Sequence, residues 1–393
     1  MREADEYDPL AKYGRTNALA RGHEDWNDPR EGVHSSVGGT AEGHACSCQL
    51  MNSHQRVVTA MKLGQPDRVP IVETVFDPGV RRAIYAEASD GGQLAEFLDL
   101  DAVGCGPVFR RVAGDAERWV DEWGVHYQRN PEANAHPVQG AIGDLHDLRT
   151  YRPPDPDAPY RLGDLPEYVR RYKGERAIIF HHRAAFMWSC HLLGIENMLI
   201  ALVDDPDLAS TVLDVVVEVN EQICRNAVRA GADIVTLGDD YAMNQGPLFS
   251  PATFRRHILP RLQRVVDAIH EEGALAMKHS DGNLWPILDM IVDTGVEALN
   301  PIEPTAGMDI AEVKARYGDR ICLVGNIDCG ELLSHGSVEE VERAVGECIA
   351  VAAPGGGFML SSSNSIHSSV DPDNYVAMVH AGRRHGSYPV NPV

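Results

Sequence analysis

A histidine and an aspartate lie two residues apart at the end of an apolar run in the C-terminal half of the chain. His279 and Asp281 follow the run 274–277 and are separated by Ser280. Side chains at positions i and i+2 of an extended chain point to the same side, so both groups can reach one centre. An imidazole beside a carboxylate can bind a metal ion or act as an acid–base pair. The spacing therefore predicts one of these two functions, with helix capping by Asp281 as the structural alternative.

Other polar side chains follow the remaining apolar runs of the chain. They are Glu73, His181, His182, Arg183, Asp239, Asp240, Asn300, Glu303, Asn326, Asp328 and Asn364. A carboxylate after a strand often only caps the next helix, and that alternative stays open for Asp328 and Asp309. His182 is also compatible with a core histidine, and the serines at 361–363 with a tight turn. The set as a whole exceeds what capping requires, and neighbouring carboxylates raise one another's pKa, which suits acid–base chemistry or cation binding.

Eight short apolar runs separated by helical patterns would position these residues. The runs are 69–72, 102–103, 177–180, 234–237, 274–277, 296–299, 321–324 and 358–360, and helical patterns include 206–230, 251–272 and 284–293. Short continuous apolar strands that alternate with helices indicate a parallel sheet covered on both faces. The α/β pattern therefore predicts a closed (β/α)8 TIM barrel whose polar strand ends meet at one mouth. An open doubly wound sheet is the alternative.

The region 107–165 departs from this alternation. Trp119, Trp123 and Tyr127 stand in short strand-like stretches, and a Pro- and Asp-rich loop follows at 153–159. We therefore expect a β-excursion inserted between two barrel strands.

Residues 1–52 have neither a helical nor a strand period, which predicts a mobile N-terminal extension. His44, Cys46 and Cys48 within it do not match the usual zinc spacings. The sequence after Asn52 is typical of a helix start, so we assign the barrel domain to residues 53–393. Removal of residues 1–50 is expected to leave folding and activity nearly intact.

Charge and cysteine content narrow the class of protein. The net charge is −23, which disfavours binding to nucleic acid or to an anionic membrane surface. The eight cysteines are scattered rather than dense, as expected in a reducing cytoplasm. The N-terminus has no apolar signal segment and no apolar stretch is long enough to span a bilayer. We expect a cytoplasmic protein with a small-molecule substrate.

Several short motifs lie in order along residues 53–390. They include RVVTAMKLGQPDRVP from Arg56, DEWGV from Asp121, HSDG from His279, NPIEP from Asn300, GNID from Gly325 and SSSNSIH from Ser361. With these motifs the chain resembles the uroporphyrinogen decarboxylase superfamily, which also contains the methyltransferases of corrinoid-dependent methyl metabolism. The resemblance implies a (β/α)8 barrel with its site at the C-terminal mouth, often as a homodimer.

Two stretches separate this chain from decarboxylases that act on uroporphyrinogen. Those enzymes carry an Arg-rich loop after the first strand and an aspartate after the second, which hold the pyrrole nitrogens and carboxylates of the substrate. This chain has ETVFDPGVRR from Glu73 and GCGPVFRR from Gly104 at these places. The aspartate is absent and the arginine pattern differs, so the resemblance argues against a porphyrinogen substrate.

The zinc methyltransferases of the superfamily use His-x-Cys after the fifth strand and a further Cys after the eighth. His279 keeps the first of these ligand positions, whereas Asp281 replaces the first Cys and the eighth strand ends in Ser-Ser-Ser-Asn. A set of His279 and Asp281, with Asp239, Asp240 or Glu303 as further candidates, is richer in oxygen than a thiolate site. It suits zinc, manganese or no metal.

The resemblance implies a methyltransferase that demethylates a small methylated compound with a corrinoid protein, or a thiol or folate, as methyl acceptor. His279 and Asp281 would be catalytic, with Asp239 and Asp240 orienting the substrate. The expected substrate-binding residues are Glu73, His181, His182, Arg183, Asn300, Glu303, Asn326 and Asn364. The alternatives are a decarboxylase of uroporphyrinogen type acting on a carboxylated substrate, and a barrel that binds a ligand without turnover.

Overall fold

Strands and helices alternate through the residues that the computed structural model describes, which are 50–129 and 135–390. They belong to one unit, Gln49–Val393. The predicted extension, with His44, Cys46 and Cys48, lies outside the described residues except at its last positions.

The helices are α1 (Ser53–Met61), α2 (Pro78–Ile84), α3 (Gly91–Phe97), α4 (Leu145–Thr150), α5 (Leu165–Tyr172), α6 (Phe186–Leu193), α7 (Ile195–Asp204), α8 (Pro206–Arg229), α9 (Pro251–Thr253), α10 (Leu259–Glu271), α11 (Leu288–Val292), α12 (Ile310–Tyr317), α13 (Leu332–His335), α14 (Val338–Ala352) and α15 (Pro372–His385). The strands are β1 (Ala102–Cys105), β2 (Arg111–Gly114), β3 (Arg118–Asp121), β4 (His126–Arg129), β5 (Ala135–Gln139), β6 (Ala177–His182), β7 (Ile234–Gly238), β8 (Ala242–Met243), β9 (Gly246–Pro247), β10 (Leu275–His279), β11 (Ala298–Asn300), β12 (Cys322–Ile327) and β13 (Phe358–Ser362).

Seven strands form a parallel sheet in the order β1-β6-β7-β10-β11-β12-β13. The segment 69–72 joins its two edges. On one side Ile71 pairs in parallel with Leu360, and on the other the amide of Asp101 donates to the Ile71 carbonyl over 2.9 Å. The segment therefore takes the position of the eighth barrel strand, and the predicted (β/α)8 barrel is confirmed.

Side chains alternate between the inside of the barrel and the layer of helices around it. Ile179, Met277 and Met359 belong to a buried cluster inside the barrel, which also contains Val57 and Met61 from α1. The intervening residues of the same strands pack against the helices. Residues two apart along a strand therefore face the same side of the sheet. This alternation decides which polar side chains reach the mouth.

Most predicted elements are present, with one helix shorter than expected. The helix over 206–230 is found as α8, and α1 begins after Asn52, whose side chain accepts from the Gln55 amide in a capping box. The pattern at 284–293 forms a helix only as α11, because Pro286 disfavours helical geometry at the residue before it.

The helix predicted over 251–272 is interrupted by a π-helical segment, Phe254–Ile258. Pro260 lies two residues beyond that segment and lacks the amide proton that an α-helical hydrogen bond would need. The shift in hydrogen-bond register at this point follows from the missing donor.

The predicted β-excursion is the antiparallel sheet β2-β3-β4-β5. Trp123 beside it is fully buried and stacks on Trp188 of α6 with ring centroids 5.0 Å apart. This contact attaches the excursion to the barrel next to the mouth.

Within the described residues, no single helix has the length and apolar character to cross a membrane. The pair α6 and α7, which is bent by 104°, meets these criteria only when the two helices are taken together.

Candidate functional site

A cavity of about 460 Å³ opens at the C-terminal ends of the barrel strands. Nine of the polar residues predicted from the sequence line it: Glu73, His181, His182, Arg183, Asp240, His279, Asp281, Asn300 and Asn364. Its volume lies in the range typical of small-molecule sites. Asp239, Glu303 and Asn326 were expected there as well, and none of them lines it.

His279 is held by a neighbouring strand end. Its Nδ1 lies 2.5 Å from Asn300 Oδ1, while Asn300 Nδ2 donates to the Val324 carbonyl over 3.2 Å. Because that second bond orients the amide, Oδ1 faces the imidazole and Nδ1 must carry the proton. Its Nε2 faces the carboxylates of the cavity.

Asp240, His279 and Asp281 form a cluster in which one ligand atom from each lies within 4.8 Å of the others. His279 Nε2 is 3.5 Å from Asp281 Oδ1 and 3.9 Å from Asp240 Oδ1. Burial raises the pKa of Asp281; His279 opposes this increase, and the nearby charge of Asp240 adds to it. Two carboxylates at this separation are unfavourable without a cation between them.

Asp281 does not cap a helix among the described residues. Its Oδ2 accepts a 2.6 Å hydrogen bond from Asn364 Nδ2, whereas its buried Oδ1 has no hydrogen-bond partner there. The capping alternative therefore fails, since α11 begins only at Leu288. An unpaired buried oxygen beside a free imidazole nitrogen is the arrangement of a ligand site.

The expectation that Asp239 contacts substrate is corrected by the alternation along β7. Asp240 points into the barrel, so its neighbour Asp239 points outward and is fully buried. Its carboxylate accepts from the backbone amides of Ala184, Ala185, Phe186 and Met187 at 2.9–3.1 Å. Asp239 therefore fixes the start of α6 and positions the loop after β6.

Glu303 and Asn326 likewise support the mouth from outside the cavity. Glu303 Oε2 accepts from the Gly282 amide over 2.7 Å, and Gly282 has a φ of +86°. Asn326 Nδ2 donates to the Ile302 carbonyl over 3.0 Å. Both side chains hold loops in place and lie outside the lining of the cavity, where the sequence predicted substrate contacts for them.

Asp309 and Asp328 are explained by capping. Asp309 accepts from the amides of Ala311 and Glu312 at the start of α12. Asp328 accepts from the amides that lead into α13, including that of Leu332 over 3.1 Å. The structural alternative is thus correct at both positions.

Glu73 lines the same cavity and directly follows the segment 69–72. Its Oε2 accepts from Ser362 Oγ over 2.5 Å and from Ser361 Oγ over 3.3 Å. Burial raises its pKa from 4.5 to about 7, although the serine hydrogen bonds oppose the shift. Glu73 is therefore an acid–base group that titrates near neutral pH.

The two histidines at the end of β6 are neutral at physiological pH. Burial lowers the pKa of His181 to about 4 and that of His182 to about 3. His181 Nε2 lies 2.7 Å from Thr74 Oγ1, and a Cβ on Gly104 would approach that nitrogen to 2.7 Å. Gly104 thus leaves the space that His181 occupies.

Lys278 is a buried cation near the mouth that the sequence predictions did not include. It is fully buried, and its Nζ donates to the carbonyls of Leu237, Asp239 and His279. It thereby ties the ends of β7 and β10 together, and burial lowers its pKa to about 8. A lysine inside an otherwise apolar strand was the available signal, since such a residue needs buried partners.

The chain is similar to several proteins of known family or structure. The family model described as uroporphyrinogen decarboxylase matches residues 122–385. A uroporphyrinogen decarboxylase of Cellvibrio japonicus is 24% identical over 269 residues, which cover 66% of this chain and 72% of that protein. The methylcobamide:CoM methyltransferase MtaA of Methanosarcina barkeri is 30% identical over 190 residues, 48% of this chain and 53% of MtaA.

Among solved structures, a methyltransferase from Methanosarcina mazei superposes with a TM-score of 0.67 at 20% sequence identity. The match covers 85% of this chain and 98% of that protein. At this level of identity the likeness establishes the shared barrel fold.

Proposed function

The chain belongs to the uroporphyrinogen decarboxylase family, and on that premise we propose that it is a methyltransferase acting on a small methylated compound. A corrinoid protein, or a thiol or folate, would accept the methyl group. The observation that carries the proposal is the cluster of Asp240, His279 and Asp281 in the cavity. Relatives in the family include both decarboxylases and a methyltransferase.

The donor atoms of this cluster fit a divalent metal such as zinc or manganese. His279 offers Nε2 while Asn300 holds its other nitrogen, the arrangement common for histidine ligands. Asp281 offers the Oδ1 that has no other partner among the described residues. A bound metal would lower the pKa of a substrate heteroatom and polarise its bond to carbon.

Methyl transfer requires the bond between the methyl carbon and its heteroatom to break while a bond forms to the acceptor's nucleophilic atom. The heteroatom keeps the electron pair and takes a proton. Glu73 can supply this proton, because its pKa of about 7 leaves a large fraction protonated at neutral pH. His181 and His182 stay neutral and therefore add no positive charge to the cavity wall.

Decarboxylation is the second candidate, and Glu73 is the observation that favours it. Loss of carbon dioxide breaks a carbon–carbon bond and leaves its electron pair on the substrate carbon. The Glu73 carboxyl, protonated in part at neutral pH, could deliver the proton that this carbon takes up.

The decisive experiment supplies the purified chain with zinc or manganese, a methyl acceptor (a corrinoid protein, a thiol or a folate) and a panel of isotope-labelled methyl donors. We expect label in the acceptor, and a fall of roughly 10²- to 10⁴-fold in the rate for His279→Ala with loss of bound metal. Asp328→Asn is the matched control, because Asp328 also follows a barrel strand but only holds backbone amides.

Release of carbon dioxide from a carboxylated substrate without methyl transfer would overturn the proposal in favour of the second candidate. Binding without either product would indicate the non-catalytic barrel.

A further inference from the structure

Arg183 is an arginine in the cavity wall that forms no ion pair with any described residue. It follows β6 in the same inward alternation as Ile179 and His181, and it lines the cavity. Its Nη1 is buried and has no hydrogen-bond partner, and no ion pair joins Arg183 to any residue in the described ranges. A buried donor without an acceptor is costly, so the fold retains it at the expense of stability.

A neighbouring arginine shows what such a group needs. Arg161 lies 4.5 Å from the ring of Phe109, and its two terminal nitrogens donate to Glu122 at 2.9 and 3.0 Å. Arg183 has no such carboxylate, although the chain contains 58 acidic residues against 35 basic ones. Because acidic residues are in such surplus, we attribute the lack of a carboxylate partner for Arg183 among the described residues to the cavity itself.

The cavity that holds the metal-ligand candidates is also lined by a cation and by aromatic rings. Among the described residues that line the cavity, Arg183 is the only lysine or arginine. The cavity is also lined by Phe109 and Trp188, whose ring centroids are 4.9 Å apart, and Trp123 stacks on Trp188. The cavity therefore offers a cation and an aromatic surface as well as the carboxylates of Asp240 and Asp281.

We propose that the substrate carries a carboxylate that binds Arg183, with an apolar body against Phe109 and Trp188 and its methylated heteroatom towards His279. A guanidinium matches a carboxylate in planar, bidentate geometry, as Arg161 already does with Glu122. This inference rests on the proposed function for the position of the methyl group, but the pairing with Arg183 does not require turnover.

The test measures equilibrium binding by calorimetry on the full chain, without any methyl acceptor. The probes are two matched pairs: para-methoxybenzoate with para-methoxybenzamide, and methoxyacetate with methoxyacetamide. We expect para-methoxybenzoate to bind roughly 10- to 100-fold more tightly than its amide, the difference typical of a charge-assisted hydrogen bond. The benzoate should also bind more tightly than methoxyacetate, because its ring covers Phe109 and Trp188.

Arg183→Gln should abolish the preference for acid over amide, whereas Arg183→Lys should keep part of it. Arg82→Gln, at an exposed arginine outside the cavity, is the matched control and should bind like the parent chain. The melting temperature of Arg183→Gln should be close to that of the parent, since the partly exposed Arg183 forms no ion pair with a described residue that the substitution could remove.

Equal affinity for acid and amide, no binding of either acid at millimolar concentration, or an unchanged preference in Arg183→Gln would each overturn the inference. Failure of methyl transfer with the acid preference intact would instead contradict the proposed function alone.

Discussion

The two ends of the barrel differ in how their carboxylates are paired. At the base, Asp101 is fully buried and accepts hydrogen bonds from Arg56, from Arg68 and from the Ile71 amide at 2.7–2.9 Å. Burial by itself would raise the pKa of Asp101, but the paired arginines lower it below its usual value. At the mouth, Asp281 lies beside Asp240 and its pKa is raised.

This difference between base and mouth distinguishes charged side chains that stabilise the fold from charged side chains that are available to bind a ligand. A carboxylate whose oxygens are all paired contributes to the stability of the native state. Removing one partner leaves the other charge buried and unpaired, which destabilises the native state. Carboxylates that face one another without a cation destabilise the native state and are retained for another reason. The base is therefore expected to control stability, and the mouth to control binding.

Asp101→Asn should have the largest effect on stability. The substitution leaves the buried guanidinium groups of Arg56 and Arg68 partly unpaired, so we expect a loss of roughly 3–5 kcal/mol in the free energy of unfolding. Chemical denaturation at pH 7 measures it. Because the folded pKa is lowered, the loss should shrink as the pH falls below 3.8.

The control for Asp101→Asn is Asp99→Asn, at a side chain that is 64% exposed and pairs with Arg176 and Arg383. Exposed ion pairs contribute at most about 1 kcal/mol. Asp99 has a φ of 50°, which asparagine also adopts readily. Equal losses in the two variants would refute the view that the buried pairing at the base determines stability.

Glu73→Gln should stabilise the chain at alkaline pH. The parent carboxyl has a folded pKa of about 7 against 4.5 when exposed, so its contribution to stability is complete below pH 4.5 and is lost as the pH rises through 7. At pH 8 the variant should gain at most about 3 kcal/mol over the parent, and the gain should vanish below pH 4.5. Melting curves across this range test it.

Glu340→Gln provides a comparison of opposite sign. Glu340 is an exposed residue of the capping box of α14, and its pKa is lowered mainly by its hydrogen bond to the Ser337 amide. Substitution there should weaken the helix start at neutral pH and have less effect in acid. A Glu73→Gln profile that follows this slope would contradict the buried, protonated carboxyl at the mouth.

Asp281→Asn should have the smallest effect on stability. The Asn364 hydrogen bond to Oδ2 can be kept, and repulsion from Asp240 is relieved, so we expect a change within about 1 kcal/mol in the absence of metal. Metal content of the purified variant should nevertheless fall well below that of the parent. A variant that keeps its metal, or unfolds as readily as Asp101→Asn, would show that Asp281 belongs with the charges of the base.

Much of the fold was predictable from local sequence. The apolar run 358–360 and the helix of α8 were visible because strand length, helical period and an Asp–Pro start are local properties. The family motifs indicated the same barrel. The segment 69–72 was also identified, although it pairs through only a few backbone contacts.

The sequence by itself determined that polar residues follow the barrel strands, and therefore that His279, Asp281 and Glu73 would meet at one mouth. The sequence did not show that only Asp240 of the pair Asp239 and Asp240 faces the cavity. Strand alternation could have shown this once the end of β7 was known. Only the tertiary structure decided that Asp239 binds the start of α6 and that Lys278 ties two strand ends together. It also decided that Arg183 has no acidic partner in the described part of the chain. The physical reason is that pairing of buried charges depends on which strands become neighbours, and that information is not local to any segment of the sequence.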